Sequence, residues 1–201
     1  MFVREPRLGA VKTRLAQTMG EVRALAAYLR LVEHAIAQLR HCPGMRLELW
    51  VAGDPDHAQV QQWSVALHAR IRTQTVGDLG QRMHAALFDR QQPAAGAVVV
   101  GTDCPGIGVS LVDEARFALE SGADVALAPA EDGGYGLIAM NTKHYRSLAQ
   151  APFSNIQWGS AAVYAESIAA CQRLALTTVE LEQVWDVDTE VDWQRFLALT
   201  G

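Results

Sequence analysis

The sequence predicts an α/β fold built on a mostly parallel sheet, and three observations carry that expectation. Strand-like and helix-like stretches alternate along the chain. One of them, "GAVVVGTDCPG", is an unbroken valine run of the kind covered on both faces of a sheet. The helical stretches repeat apolar residues at three- and four-residue spacing. With 201 residues, half of them hydrophobic and 19% charged, the chain can bury one sizeable core. No Pro/Gly/Ser-rich linker divides it, so a single domain over residues 1–201 is expected.

Each element follows from a local pattern. After the opening "FVREPRLGAVKTRL", Leu25, Leu29, Val32, Ile36 and Leu39 form the stripe of an amphipathic helix that Cys42, Pro43 and Gly44 stop. A β-favouring stretch at 47–51 comes next, then a helix with Val60, Trp63 and Leu67, and a short strand around 71–75. "GDLGQRMHAALF" reads as a helix with Leu79, Met83 and Leu87 on one face, and the valine run as the central strand. A helix at 111–119 leads to the strands "DVALAPA" and "YGLIAMN", joined by "EDGG". A helix from about 160 to 172, the β-like "LTTVEL" and a helix after "DVDTEVDW" complete the order.

Composition excludes several classes. The net charge of -5 disfavours a general nucleic-acid role, which calls for a basic stripe. No run of about 18 apolar residues spans a bilayer and no signal-peptide pattern opens the chain, so the expected compartment is the cytoplasm, with no membrane partner. Cys42, Cys104 and Cys171 form no CxxC pair and are expected as reduced thiols. His34 and His84 read as partly exposed helical residues, and Trp63 and Trp193 as core.

Ligands of open α/β sheets sit beyond the carboxyl ends of the strands, so the residues just after strands are the candidates for chemistry. Asp103 of "GTDCPG" follows the valine run; it suits either an oxygen ligand for Mg²⁺ or Mn²⁺ or a cap on the turn before Pro105. "EDGGY" places Asp132, Gly133, Gly134 and Tyr135 between two strands, where Asp-Gly also signals a plain hairpin. In "WDVDTEVDW", Asp186 and Asp188 alternate along an extended stretch, and like charges so close need a cation or donors. Thr189 and Asp192 suit the first turn of a helix. The loop "GAVKTRL" is the complement of these acids: Gly9 permits a tight bend, and Lys12 and Arg14 could grip phosphate or could simply form a solvated basic turn. It lacks the spacing of a Walker A loop.

Taken in order, "GAVKTRL", "GDLGQRM", "GTDCPG" with "PAEDGGYGLIAM", and "FSNIQWGS" followed by "DVDTEVD" resemble, over nearly the whole chain, a family of small bacterial proteins. That family is assigned to the GT-A, or nucleotide-diphospho-sugar transferase, fold and to glycosyltransferases. More distantly the chain is similar to metal-dependent nucleotidyltransferases such as phospholactate guanylyltransferase, the molybdenum-cofactor guanylyltransferase and the sugar-activating cytidylyltransferases. The resemblance implies a three-layer α/β/α, Rossmann-like GT-A architecture. It also implies nucleotide phosphates at Gly9, Lys12 and Arg14, with Gly80 and Thr102 on the nucleotide side. The metal, Mg²⁺ or Mn²⁺, would be held by Asp103 and Asp188, and the acceptor side lined by Asp132, Gly133, Gly134 and Tyr135. Relatives usually carry a full apolar strand ahead of "REPRLG", whereas only Met1, Phe2 and Val3 stand there, so a truncated first strand is expected.

The leading functional expectation is a metal-dependent glycosyltransferase in which Lys12 and Arg14 stabilise the leaving diphosphate and Asp132 serves as base or acceptor contact. The alternative keeps the same residues for nucleotidyl transfer from a nucleoside triphosphate to a phosphorylated small molecule, with pyrophosphate leaving. A third reading, from another class, is a non-catalytic nucleotide-binding module. A homodimer is among the expected states.

Overall fold

The computed structural model describes residues 1–88, 95–141 and 151–201. Its elements alternate as the sequence patterns require, and they divide into two compact units. One unit comprises 1–73, 101–109 and 185–201; the other comprises 74–100 and 110–184. No helix among the described residues is long and apolar enough to cross a membrane.

The first unit is built on a three-stranded parallel sheet, ordered β1 (Phe2–Arg4), β2 (Glu48–Ala52), β3 (Arg70–Thr73). Its helices are α1 (Thr13–Met19), α2 (Glu21–Leu39), α3 (Ala58–Leu67) and α7 (Glu190–Thr200). Only three residues long, β1 pairs with β2 in register from Phe2 opposite Trp50 to Arg4 opposite Ala52. Beyond it, Glu5 N–H donates to the Ala52 carbonyl at 2.9 Å. On its other side the Tyr28 hydroxyl accepts from Arg4 N–H at 2.7 Å and donates to the Arg4 carbonyl at 2.9 Å. A side chain of α2 therefore satisfies backbone groups that a strand partner would otherwise meet. Burial holds the Tyr28 phenol above the usual tyrosine range, although its bond to Arg4 works the other way.

The apolar stripe of α2 differs from the sequence expectation at its start. Ala24, Ala27, Tyr28 and Leu31 are buried there, whereas Leu25 and Leu29 are only half-buried. The reason is close packing: alanines let neighbouring chain approach the helix, and the buried cluster around them contains Leu15, Leu31, Val187, Trp193 and Phe196. From Leu31 onward, Val32, Ile36 and Leu39 are buried as expected, as are Val60, Trp63 and Leu67 of α3.

The second unit holds a mixed four-stranded sheet, ordered β4 (Gly96–Val100), β6 (Tyr135–Asn141), β5 (Val125–Pro129), β7 (Thr178–Glu180). The pairs β4/β6 and β5/β6 are antiparallel and β5/β7 is parallel. Its helices are α4 (Leu79–Leu87), α5 (Val109–Glu120) and α6 (Val163–Arg173). The valine run, expected as the central strand, lies at an end of this order, and only Val99 and Val100 are buried. The most enclosed strand is β5, flanked on both sides, with Val125, Ala126, Leu127 and Ala128 all fully buried. On α4 the buried face is Gly80, Met83 and Leu87, and Leu79 is exposed. The displacement has a cause: Gly80 lies against the Trp158 ring, where a Cβ would come within 2.5 Å. Asp78 and Gln81 close a capping box at that helix start.

Candidate functional site

The candidate site is assembled within the first unit by a few backbone constraints. Gly9 takes a left-handed backbone, φ 74°, which turns the loop after β1 at no steric cost. Three residues on, Lys12 takes the same region, φ 46° and ψ 47°, immediately before α1. A lysine there costs roughly 1–2 kcal/mol, so something must hold it.

Its side chain supplies the answer. The Lys12 side chain is only 4% exposed, and its ammonium reaches three oxygens of the chain: Val187 O at 2.7 Å, Asp103 Oδ1 at 2.8 Å and Asp188 Oδ1 at 3.4 Å. An ammonium has three protons, and three acceptors surround this one. Arg14, in the first turn of α1 and exposed, donates to Asp188 Oδ2 at 2.9 Å. Both oxygens of Asp188 thus carry a cationic donor. Asp103 is half-exposed, and its Oδ2 has no hydrogen-bond partner among the described residues.

The two acids are brought to one cation by Val187. Its N–H donates to the Asp103 carbonyl at 2.9 Å while its own carbonyl accepts from Lys12. Val187 and Leu15 are completely buried in the cluster that includes Trp193 and Phe196, so the residues flanking Asp188 and Arg14 are anchored in the core. The loop "GTDCPG" is fixed from the other side by His34, whose Nε2 donates to the Pro105 carbonyl at 3.0 Å, and Thr102 is buried within it. Cys42, Cys104 and Cys171 are buried and form no disulfide among the described residues.

The start of α7 follows the capping reading of "DTEVD". Thr189 accepts from Asp192 N–H, and the Asp192 carboxylate accepts from the Asp188 and Thr189 amides and the Thr189 hydroxyl. Burial pushes the Asp192 carboxyl upward. The Thr189 and Asp188 hydrogen bonds and the charge of Arg195 outweigh it, holding the pKa below the usual carboxylate value.

Gly80 and the turn 132–135 belong to the second unit. There "EDGGY" is the hairpin between β5 and β6: Gly133 N–H donates to Ala130 O, Ala130 N–H to Gly134 O, and Gly134 N–H to Asp132 Oδ1 at 2.8 Å. Gly133 has φ 88°, and a Cβ there would lie 2.1 Å from the Ala161 carbonyl oxygen. Asp132 is exposed. The Tyr135 hydroxyl points inward, and burial raises the phenol above its usual range. Its ring meets Trp158 edge to face at 6.5 Å. Two contributors to the first unit's site escaped the sequence reading: Val187, whose backbone links the acids, and His34, whose bond steadies the Asp103 loop.

The fold places the chain among the nucleotide-diphospho-sugar transferase folds. More particularly, the chain belongs to the family described as "Uncharacterized protein conserved in bacteria (DUF2064)", whose model matches residues 35–160. That span includes Asp103 and stops short of Lys12, Arg14 and Asp188. A crystal structure from Desulfovibrio desulfuricans G20, described as a "putative nucleotide-diphospho-sugar transferase", is similar with a TM-score of 0.77 and 29% identity, over 94% of this chain and 80% of that one. CMP:2-keto-3-deoxy-manno-octonic acid synthetase complexed with CTP shares the fold at a TM-score of 0.53 and 15% identity, over 85% of this chain and 87% of that one. Glucosyl-3-phosphoglycerate synthase from Mycobacterium tuberculosis, in complex with Mn²⁺, UDP and glucosyl-3-phosphoglycerate, shares it at 0.50 and 14%, over 85% and 70%. A search of curated proteins found no significant match.

Proposed function

We propose that the protein is a metal-dependent glycosyltransferase acting on a nucleotide-diphospho-sugar donor and a small acceptor. The observation that carries this reading is a half-exposed strand-end carboxylate, Asp103, set beside a buried ammonium and an exposed guanidinium. The same chain is 29% identical to the Desulfovibrio protein described above.

The fit of a divalent cation can be tested on the donors. Asp103 suits one, because it offers a free, accessible carboxylate oxygen of the hard type that Mg²⁺ and Mn²⁺ take. Asp188 as placed does not add a second, since Lys12 and Arg14 engage both its oxygens. Among the described residues no three or more His, Cys, Asp or Glu are grouped so as to hold a metal; in this reading a donor diphosphate would supply further oxygens. Held on Asp103, the cation would offset charge that develops on the leaving diphosphate.

The chain's own residues do the rest. Arg14, 67% exposed, keeps guanidinium donors available for phosphate oxygens beyond the one spent on Asp188. Lys12 contributes a fixed positive charge beneath Asp103 and cannot swing out without giving up three acceptors. The Gly9 turn carries the loop past the site without a side chain in its bend.

The deciding experiment is incubation with Mg²⁺ or Mn²⁺, a panel of nucleotide sugars, and a panel of nucleoside triphosphates with phosphorylated acids. Release of nucleoside diphosphate from a nucleotide sugar is expected. Pyrophosphate release from a triphosphate, without any nucleoside diphosphate, would overturn the glycosyltransferase reading in favour of nucleotidyl transfer.

A further inference from the structure

We propose that Lys12 is a built-in counter-cation that keeps a divalent metal from settling on the Asp103 and Asp188 pair until a diphosphate arrives with it. This deepens the transferase reading above and rests on it. The geometry is specific: one ammonium, on a side chain 4% exposed, lies within 3.4 Å of an oxygen of each acid. A metal bridging the two carboxylates would have to share that space with a positive charge.

Three features make the ammonium a fixture. Its three protons have three acceptors, one of them a backbone carbonyl that no titration removes. Its backbone is held left-handed at the entrance to α1. The residues next to the cluster, Leu15 and Val187, are completely buried, so the loop and the Asp188 segment do not separate without opening the core.

Charge explains the dependence on diphosphate. Asp103 and Asp188 contribute two negative charges, and Lys12 and Arg14 two positive ones, so the cluster is formally neutral. A divalent cation arriving alone leaves an excess of two positive charges and finds one free carboxylate oxygen, on Asp103. Arriving with a diphosphate, it brings its own oxygen ligands and the charge that compensates it. Metal and donor therefore enter together, and free metal does not occupy the site ahead of the nucleotide.

The test uses MnCl₂ alone and needs no nucleotide. Free Mn²⁺ is measured by electron paramagnetic resonance during titration of the wild-type protein, Lys12→Met, and Lys12→Met combined with Asp188→Asn. Lys12→Met, which strips Asp103 of its cation and leaves the cluster with one excess negative charge while Arg14 still pairs with Asp188, is expected to bind Mn²⁺ at least tenfold more tightly than wild type, about 1.4 kcal/mol. Adding Asp188→Asn is expected to abolish the gain. Equal binding by wild type and Lys12→Met, or a gain that survives Asp188→Asn, would overturn the proposal. Circular dichroism reports on folding; should Lys12→Met unfold, Lys12→Gln, which retains a donor for Val187 O, takes its place with the same two outcomes. In a second arm, water-proton relaxation with Mn²⁺ and methylenediphosphonate is expected to show a protein-bound metal in wild type only when both are present. Enhancement by Mn²⁺ alone overturns the proposal. Because neither arm contains a sugar nucleotide, failure here with nucleoside diphosphate release intact refutes only the role of Lys12. The converse refutes only the transferase reading.

Discussion

Two left-handed residues in this molecule do opposite work. At Gly133, in the hairpin between β5 and β6, φ is positive and a side chain would run into the Ala161 carbonyl oxygen; the residue is chosen for what it lacks. At Lys12 a full side chain tolerates the same backbone region, and its charged end is buried against two acids and a carbonyl. A glycine at such a position reports a packing requirement, whereas strain at a buried charged residue points to a site that aims a functional group.

The two regions are expected to fail in different ways. Asp103→Asn, which keeps the shape but removes the charge, is expected to lower kcat/KM by about 10² to 10³, the scale for losing one well-placed electrostatic group. Its Tm should stay within about 3 °C of wild type. A melting temperature that fell with activity would erase the distinction. Gly133→Ala is expected to cost about 3 kcal/mol, combining an incompatible backbone with a clash. Thermal denaturation should show a Tm lower by roughly 6–12 °C in a chain of this size, and activity per folded molecule should change far less than for Asp103→Asn.

Arg14→Ala sharpens the comparison inside the loop itself. Its pair with Asp188 is exposed and worth at most about 1 kcal/mol to stability. A rise in the donor KM of about tenfold, at nearly unchanged Tm, is expected from steady-state kinetics. The smallest effect concerns pH. The Asp192 pKa is lowered in the folded state, so its stabilising contribution is fully present above the unfolded carboxylate value of about 3.9 and is lost as pH falls through the folded value. Denaturant titrations from pH 6 downward should show this decline, and Asp192→Asn should flatten it.

The alternation of strands and helices was legible because β-branched runs and three- and four-residue spacings are written locally. So were the capping of α7 by Thr189 and Asp192, and the hairpin at "DGG", since each depends on residues only a few positions apart. The buried seam of α2 was not: Ala24 and Ala27 carry a weak apolar signal, and the burial of small residues is decided by what packs on them. Nor was the end position of β4, which depends on strand order and not on its own composition. At the candidate site the residue types were readable and their relations were not. Nothing in the sequence tells that the Lys12 ammonium faces Asp103 and Asp188 instead of open solvent, because those partners lie 91 and 176 positions along the chain.

The hydroxyl of Tyr28, bonded to both the amide and the carbonyl of Arg4, bears on the order in which the molecule assembles. A strand neighbour can zip up locally, but this rung exists only once α2 has docked beside β1. The phosphate-loop candidate that follows Arg4 is therefore expected among the late structures in refolding. The Arg4 amide proton serves as its clock, exchanging with deuterium as slowly as the interior of α2 and becoming faster in Tyr28→Phe.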